Sequence, residues 1–476
     1  MLARGIRSYQ RPDRIEEALD LAEAGVRPLA GGTRLLATAA DTPEVLDLAS
    51  LDLGGIEVRD GDLLLGATVS LQDVIDSPLA YGTTGGLLPA ACRAHSASRT
   101  LRGMATLAGE SVFGSSDSEV AAALLALNAI YVVRRREATV EVPALRFLRN
   151  PREDLGNGGL VTSILLPGAP GGAALERLAV LPSAPALLAV AATVSLAGGT
   201  CTRARVALTG LEAAPARVLE GESRLEGSDC SPDAVGAYVE QVTSRVRFRT
   251  DAHASADYRR AVAPPLIARA LSRAVDRARS GVAAAVPRLR PRPAGAPPPS
   301  MALWRSGELV VTVNGARLRG EAHAGTTLLE WLRARGLWSV KHGCETGECG
   351  ACTVLLEGRP VSACLTLAPR AQGLRVDTVE GLGTPGRLHP VQAAFVETGA
   401  IQCGFCTPAM ELCAAALLDE IPDPTEPEVR DALSGCLCRC TGYVKPVEAV
   451  LRAAKGLGGS RKAVPRDPAT AGLGTP

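Results

Sequence analysis

The spacing of hydrophobic positions changes period several times along the chain, and each change predicts a short element. Ile15 to Ala24 has helical spacing, and Val26 to Leu29 predicts a strand running into a Gly-Gly loop. Leu63 to Leu65 leads into another glycine, while Val120 to Ala129 is apolar nearly all round, as a buried helix requires. Thr193 to Ser195 and Arg203 to Leu208 alternate as strands, and Tyr258 to Ala278 carries the stripe of an amphipathic helix. No regular strand–helix–strand repeat appears, so the expected class is α+β.

Ser280 to Ser300 reads SGVAAAVPRLRPRPAGAPPPS and has no apolar period, which predicts an extended, semi-rigid spacer. Met301 follows directly and looks like the start of an independent protein, as a gene fusion would leave it. Beyond it, Leu309–Val313, an Asn314-Gly315 turn and Arg317–Arg319 predict a hairpin, then Leu328–Arg335 a helix and Thr353–Leu356 a strand. From His389 helical patterns dominate, at Val391–Thr398, Pro408–Asp419, Glu426–Leu433 and Val447–Ala454. The second half therefore divides near Asp377 into a β-rich and a helical part. The polar segment from Ser460 to Pro476 is expected to be disordered.

A chain of 476 residues predicts two to four domains. No stretch of about 18 apolar residues lacks charges and the N-terminus has no apolar core of signal-peptide type, so no membrane span and a cytoplasmic location are expected. Lys+Arg 51 against Asp+Glu 50 leaves almost no net charge, which argues against nucleic acid as a partner. Ten of the 13 cysteines fall between Cys344 and Cys440. In a cytosolic chain such crowding points to metal rather than disulfides.

Cys344, Cys349 and Cys352, closed by Cys364, have the C-x4-C-x2-C…C spacing of plant-type [2Fe–2S] ferredoxins. Gly343, Gly347 and Gly350 let the backbone wrap a cluster closely and aim N–H groups at its sulfurs. Zinc sites usually show two short Cys-x2-Cys knuckles instead. In the second set, Cys403-x2-Cys406 with Cys438-x-Cys440, spacing alone leaves zinc and iron–sulfur both open. Cys413 and Cys436 read as small buried apolar side chains.

The strings HGCETGECGACTVLLEGRPVSACLTLA, IQCGFCTPAM and GCLCRCTGY, within Glu308 to Lys455, closely resemble the iron–sulfur subunit of molybdenum hydroxylases, the xanthine dehydrogenase, aldehyde oxidase and carbon monoxide dehydrogenase family. The resemblance implies a ferredoxin-like β-grasp domain and a four-helix domain whose cluster, on Cys403, Cys406, Cys438 and Cys440, lies nearest the molybdenum cofactor of a partner chain. It also implies that Gln402 hydrogen-bonds the pterin there; a solvated residue at a helix start is the alternative. Family members usually have Asn where Cys436 stands and Gly where Ala409 stands.

LAGGTRLL, by itself, is a strand entering a loop that can offer backbone N–H groups to a pyrophosphate, without the spacing of a Rossmann fingerprint. Together with LLLGATVSLQDVI, RGMATLAGE, EVAAALLALNA, LVTSILLPG and DAHASADYRR, it resembles the FAD-binding subunit of the same family over Arg11 to Ala278. That implies a two-lobed FAD domain of the vanillyl-alcohol-oxidase type with a C-terminal α/β lobe. It implies that Leu29, Ala30, Gly31, Gly32 and Thr33 hold the pyrophosphate, that Thr106, Gly109 and Glu119 line the second phosphate and ribose, and that Arg177 lies near the flavin. The family usually has an acid at Arg34, Gly-Gly-Asn at Ala108-Gly109-Glu110, Asp at Glu119, Pro at Ser116 and an acid near Ala184. Glu110 beside a pyrophosphate would repel it unless turned away, and Arg34 could offset that charge.

These readings divide the chain into an FAD-binding domain (1–168), its C-terminal lobe (169–279), a linker (280–302), a ferredoxin-like domain (303–378), a helical [2Fe–2S] domain (379–456) and a tail (457–476). The flavin part precedes the iron–sulfur part, the reverse of the single-chain relatives. No region can hold molybdopterin or do substrate chemistry, so the expected role is the electron-transfer subunit of a molybdenum hydroxylase. Electrons would pass from a molybdenum-cofactor large subunit through two [2Fe–2S] clusters to FAD and then to NAD+ or another acceptor, within a dimer of heteromers. A flavin-free relay, the same chain run as a reductase, and a zinc-stabilised interaction protein remain as alternatives.

Overall fold

The computed structural model describes residues 5–38, 42–114, 116–181, 184–281 and 297–457. The core of the spacer and the tail from residue 458 lie outside the described residues. The chain forms two compact units, one of Met1–Asp52, Ala97–Ala105 and Arg292–Pro476, the other of Leu53–Ser96 and Thr106–Pro291.

The first unit holds a four-stranded sheet in the order Met301–Trp304, Ser8–Arg11, Glu44–Asp47, Arg27–Leu29. Met301 thus opens an edge strand, antiparallel to Ser8–Arg11, while the other neighbours are parallel. No hydrophobic period signals this pairing, because its partners lie almost 300 positions apart and Met301–Trp304 is only half-buried. A five-stranded mixed sheet follows, ordered Ala316–His323, Ser306–Val313, Arg375–Asp377, Thr353–Leu356, Arg359–Ser362. Its first hairpin turns at Asn314 (φ 51°) and Gly315 (φ 87°), the left-handed pair that an Asn-Gly turn demands. The helix Leu328–Arg333 packs on it, started by a capping box between Thr327 and Glu330 that contributes about 1 kcal/mol. Trp331 anchors a core continuous with Tyr9, Leu29, Val45 and Met104, so the first strands and the ferredoxin-like sheet fold around one interior. Four helices, Pro390–Glu397, Thr407–Glu420, Glu426–Leu433 and Val444–Leu457, close around Phe395, Met410 and Val450.

The second unit has a five-stranded sheet ordered Ile56–Arg59, Asp62–Gly66, Leu160–Leu166, Ile130–Arg134, Thr139–Pro143. The helix Glu119–Ala126 is buried at all eight positions, as the all-round apolar pattern from Val120 predicts, and it packs on the strands Leu188–Ala197 and Thr200–Leu208 of the unit's other sheet. A four-stranded antiparallel sheet, Ala216–Arg217, Thr200–Leu208, Leu188–Ala197, Gly172–Leu178, is backed by the helices Pro232–Arg245 and Ala256–Ser280. The strand Leu188–Ala197 starts five residues before its alternating part, because Leu188 to Val194 is buried on both faces and shows no period of two. Among the described residues no helix is long and apolar enough to cross a membrane.

Candidate electron-transfer centres

The first cysteine set lies on the loop between the helix Leu328–Arg333 and the strand Thr353–Leu356, facing a short turn at Ala363–Leu365. Glycine geometry forces the wrap. A Cβ on Gly343 would stand 2.8 Å from Cys349 Sγ, and one on Gly347 (φ +81°) would stand 2.5 Å from Leu365. Cys344 Sγ accepts from the N–H groups of Thr346 (3.4 Å) and Cys349 (3.3 Å). Burial pushes the Cys344 thiol up, but these hydrogen bonds outweigh it and bring it to about 7, while burial holds Cys349 high. Cys352 and Cys364 are buried and share a thiol contact that lowers Cys352 and raises Cys364.

The second set joins the turn before Thr407–Glu420 to the loop before Val444–Leu457. Cys406 faces Cys438 and Cys403 faces Cys440, the first pair more buried and the second exposed. Cys438 N–H donates to the Tyr443 hydroxyl (2.9 Å), and Cys438 Sγ lies 3.2 Å from Thr441 Oγ1. Burial opposes ionisation of Cys438, yet the Thr441 contacts bring its thiol to about 7; burial and Cys438 push Cys406 up to about 12. Gln402 is exposed beside Cys403. Cys413 and Cys436 form a third, fully buried pair with their Sγ atoms 3.7 Å apart.

Among the described residues no three His, Cys, Asp or Glu side chains converge tightly enough to hold one metal ion. The thiols come together two by two. A [2Fe–2S] cluster takes its ligands in that manner, two to each iron, whereas tetrahedral zinc needs four around one centre. In three of the four pairs one thiol is lowered and its partner raised, as two neighbouring thiols that share a hydrogen bond do. Both sets fit the cluster.

The two loops touch. Leu437 N–H donates to the Cys349 carbonyl at 3.0 Å, one residue before Cys438. A Cβ on Gly350 (φ +66°) would stand 1.9 Å from the Gly435 carbonyl, so only glycine permits the approach. The segment Ala97–Ala105 supports the second loop: Arg102, itself 1% exposed, binds Asp431 at 2.7 Å, and Arg99 reaches Glu420 (3.1 Å) and Asp431 (3.3 Å). These arginines escaped the sequence reading because their acids stand more than 300 positions away.

The flavin-directed residues fall in both units. In the first, the strand Arg27–Leu29 delivers Ala30 to Arg34 as a loop ahead of the helix Leu35–Thr38. A Cβ on Gly31 would collide with the Met104 carbonyl at 1.8 Å, and Gly32 has φ +78°. This bare-backbone cradle is the form a pyrophosphate loop needs, and it fits the group. Arg370 donates to the Ala30 carbonyl at 2.8 Å. In the second unit Thr106 caps the helix Leu107–Phe113, its hydroxyl accepting from Gly109 N–H at 3.1 Å. Glu110 is buried and turned to His95, whose Nε2 lies 3.3 Å from its carboxylate. Glu119 and Arg177 are brought together at 3.2 Å, and Arg177 also donates to the Ala184 carbonyl (2.7 Å). Burial raises the Glu119 carboxyl, partly countered by Arg177.

Four families match in succession: the FAD binding domain in molybdopterin dehydrogenase over residues 4–169, the CO dehydrogenase flavoprotein C-terminal domain over 181–274, the 2Fe-2S iron-sulfur cluster binding domain over 311–375, and the [2Fe-2S] binding domain over 378–451. The fold and its sites define an oxidoreductase chain that transfers electrons with FAD and two [2Fe–2S] clusters. Residues of this chain are 50% identical over 141 positions to the nicotinate dehydrogenase small FeS subunit of Eubacterium barkeri, covering 28% of this chain and 89% of that protein. They are 47% identical over 142 positions to the xanthine dehydrogenase iron-sulfur-binding subunit of Escherichia coli O157:H7, covering 29% and 89%. Carbon monoxide dehydrogenase of Hydrogenophaga pseudoflava, in a form lacking the Mo-pyranopterin moiety, superposes with a TM-score of 0.54 at 26% identity, over 56% of this chain and 97% of that one. Quinoline 2-oxidoreductase of Pseudomonas putida 86 gives 0.52 at 25%, over 57% and 97%. The chain belongs to the molybdenum hydroxylase family, as a fused FAD-binding and [2Fe–2S] electron-transfer subunit.

Proposed function

We propose that this chain takes electrons from a molybdenum-cofactor large subunit at its second cysteine set and delivers them to NAD+ or another acceptor, in an enzyme of xanthine dehydrogenase type. The observation that carries the reading is the hydrogen bond from Leu437 N–H to the Cys349 carbonyl, which joins two four-cysteine loops by a few bonds. Cys344, Cys349, Cys352 and Cys364 would hold one cluster on residues 303–378, and Cys403, Cys406, Cys438 and Cys440 the other on 379–456. When bound, the clusters supply one-electron steps and FAD supplies the conversion to a two-electron product.

The protein's own residues set the direction of access. Cys403 and Cys440 are exposed, with Ile401, Phe405, Leu437 and Val444 standing out of the surface around them. An apolar rim around exposed ligands suits a partner that must come close and exclude water. Gln402, exposed in that rim, would hydrogen-bond the pterin of the partner's cofactor. Leu29 to Thr33 would hold the FAD pyrophosphate. A cytoplasmic dimer of heteromers is the assembly we infer.

The test is iron, acid-labile sulfide, zinc and flavin per chain on protein purified anaerobically with its partner, followed by reduction with candidate substrates. About four iron, four sulfide and one FAD are expected, the content of two [2Fe–2S] clusters and one flavin. Zinc in place of iron would overturn the reading, and iron without flavin would reduce the chain to a relay. Failure of NAD+ to reoxidise the substrate-reduced complex would point to another acceptor.

A further inference from the structure

We propose that Arg370, a residue of the iron–sulfur half, is a positioning residue for the pyrophosphate loop of the flavin half. The inference rests on the reading of Leu29 to Thr33 as that loop. Arg370 stands six residues beyond Cys364, in the short turn Ala368–Ala371. Its Nη1 donates to the Ala30 carbonyl at 2.8 Å, and its Nε lies 3.4 Å from Asp47 Oδ2. Asp47 is fully buried and also accepts from the Tyr9 hydroxyl (2.6 Å) and Ala49 N–H (3.0 Å). The Arg370 carbonyl in turn accepts from Arg11 Nη1 at 2.9 Å, and Arg11 donates to the Pro299 carbonyl at 2.7 Å. Backbone and guanidinium are therefore both fixed, which a solvated surface arginine is not.

The consequence is in the peptide that Arg370 holds. In a trans peptide the carbonyl and the following N–H point to opposite sides. Anchoring the Ala30 carbonyl on Arg370 therefore aims the Gly31 N–H the other way, as a donor for an anion. Steric contacts already limit the loop elsewhere: a Cβ on Gly31 would strike the Met104 carbonyl at 1.8 Å, and one on Gly32 would come within 3.4 Å of the Leu365 carbonyl. Between these close approaches, Arg370 fixes the orientation of the Ala30–Gly31 peptide through the Ala30 carbonyl. Leu365 adjoins Cys364, so the order of this loop is tied mechanically to the first cysteine set. A bare structural ion pair would affect melting temperature and leave flavin affinity alone.

The experiment uses the full chain with its partner, stripped of flavin and titrated with FAD by fluorescence, with iron content and visible circular dichroism confirming both clusters. Arg370→Met should raise the FAD Kd by about tenfold to a hundredfold, the worth of a charge-assisted hydrogen bond, at unchanged iron content. Arg370→Lys should recover part of it, since lysine restores the charge but not the two-sided fork. Should Arg370→Met lose its clusters, Asp47→Asn, which keeps the shape, decides: a raised Kd supports the proposal and an unchanged one overturns it. Gly32→Ala, which strains the loop backbone at φ +78°, is the control. A weakened Gly32→Ala beside an Arg370→Met of wild-type affinity overturns the role of Arg370 alone. Wild-type affinity in both overturns the loop assignment and the proposal with it.

Discussion

The two cysteine loops use the same chemistry at opposite exposures. The first is wound tightly by glycines against Leu365 and Gly435, with Cys352 and Cys364 buried. The second keeps one pair half-shielded and leaves Cys403 and Cys440 at the surface among apolar side chains. Burial lowers the solvent's share in tuning a cluster, while exposure lets a partner approach. The difference teaches that one cysteine set is enclosed by packing, while the other keeps half its thiols uncovered.

Five changes would break or sharpen that contrast, and the largest is steric. Gly350→Ala adds a Cβ 1.9 Å from the Gly435 carbonyl at a φ of +66°. It should cost more than about 4 kcal/mol and separate the loops. Gly442→Ala in the second loop, at φ +60° with open space around it, should cost only about 1–2 kcal/mol of backbone strain. Thermal melting of the two variants gives the comparison, and equal losses would contradict it.

Next comes a buried acid on the helix into which the second loop opens. Burial pushes the Glu411 carboxyl up to about 7, slightly countered by Gln392. The folded state then binds more protons than the unfolded one between about pH 4.5 and 7. Stability should fall as pH rises through that window and level off above it, by up to about 3 kcal/mol at 1.36 kcal/mol per unit. Glu411→Gln should remove the slope, as melting from pH 5 to 8 would reveal.

Smaller effects belong to the outer loop. Phe405→Asp, at a side chain 46% exposed, should leave stability within about 0.5 kcal/mol yet weaken association with the large subunit about tenfold or more. Isothermal titration of the two subunits would measure this, and unchanged affinity would move the docking face elsewhere. Thr441→Val deletes the hydroxyl 3.2 Å from Cys438 Sγ. It should make the second cluster's potential more negative and leave the first unmoved, as an EPR redox titration would resolve.

Much of this was legible in local pattern. The four-residue gap between Cys344 and Cys349, the Asn314-Gly315 turn and the all-apolar Val120 to Ala129 each act over one loop or one helix, where spacing is geometry. Boundaries failed where burial on both faces hid the period, as at Leu188 to Val194, and where a strand gained its identity from a distant partner, as at Met301–Trp304. Glu110 read as a threat to phosphate binding; its pairing with His95 needs the fold.

The sequence by itself determined that eight cysteines stand in two sets, that glycines flank them, and that a Gly-Gly loop follows an early strand. Residue order along a chain sets which side chains can meet within one turn. Only the tertiary structure decided that Cys406 faces Cys438 and Cys403 faces Cys440, that Leu437 reaches Cys349, and that Arg370 holds Ala30 from 340 positions away. Those contacts depend on how separate elements pack around one core, and packing is a property of the whole chain.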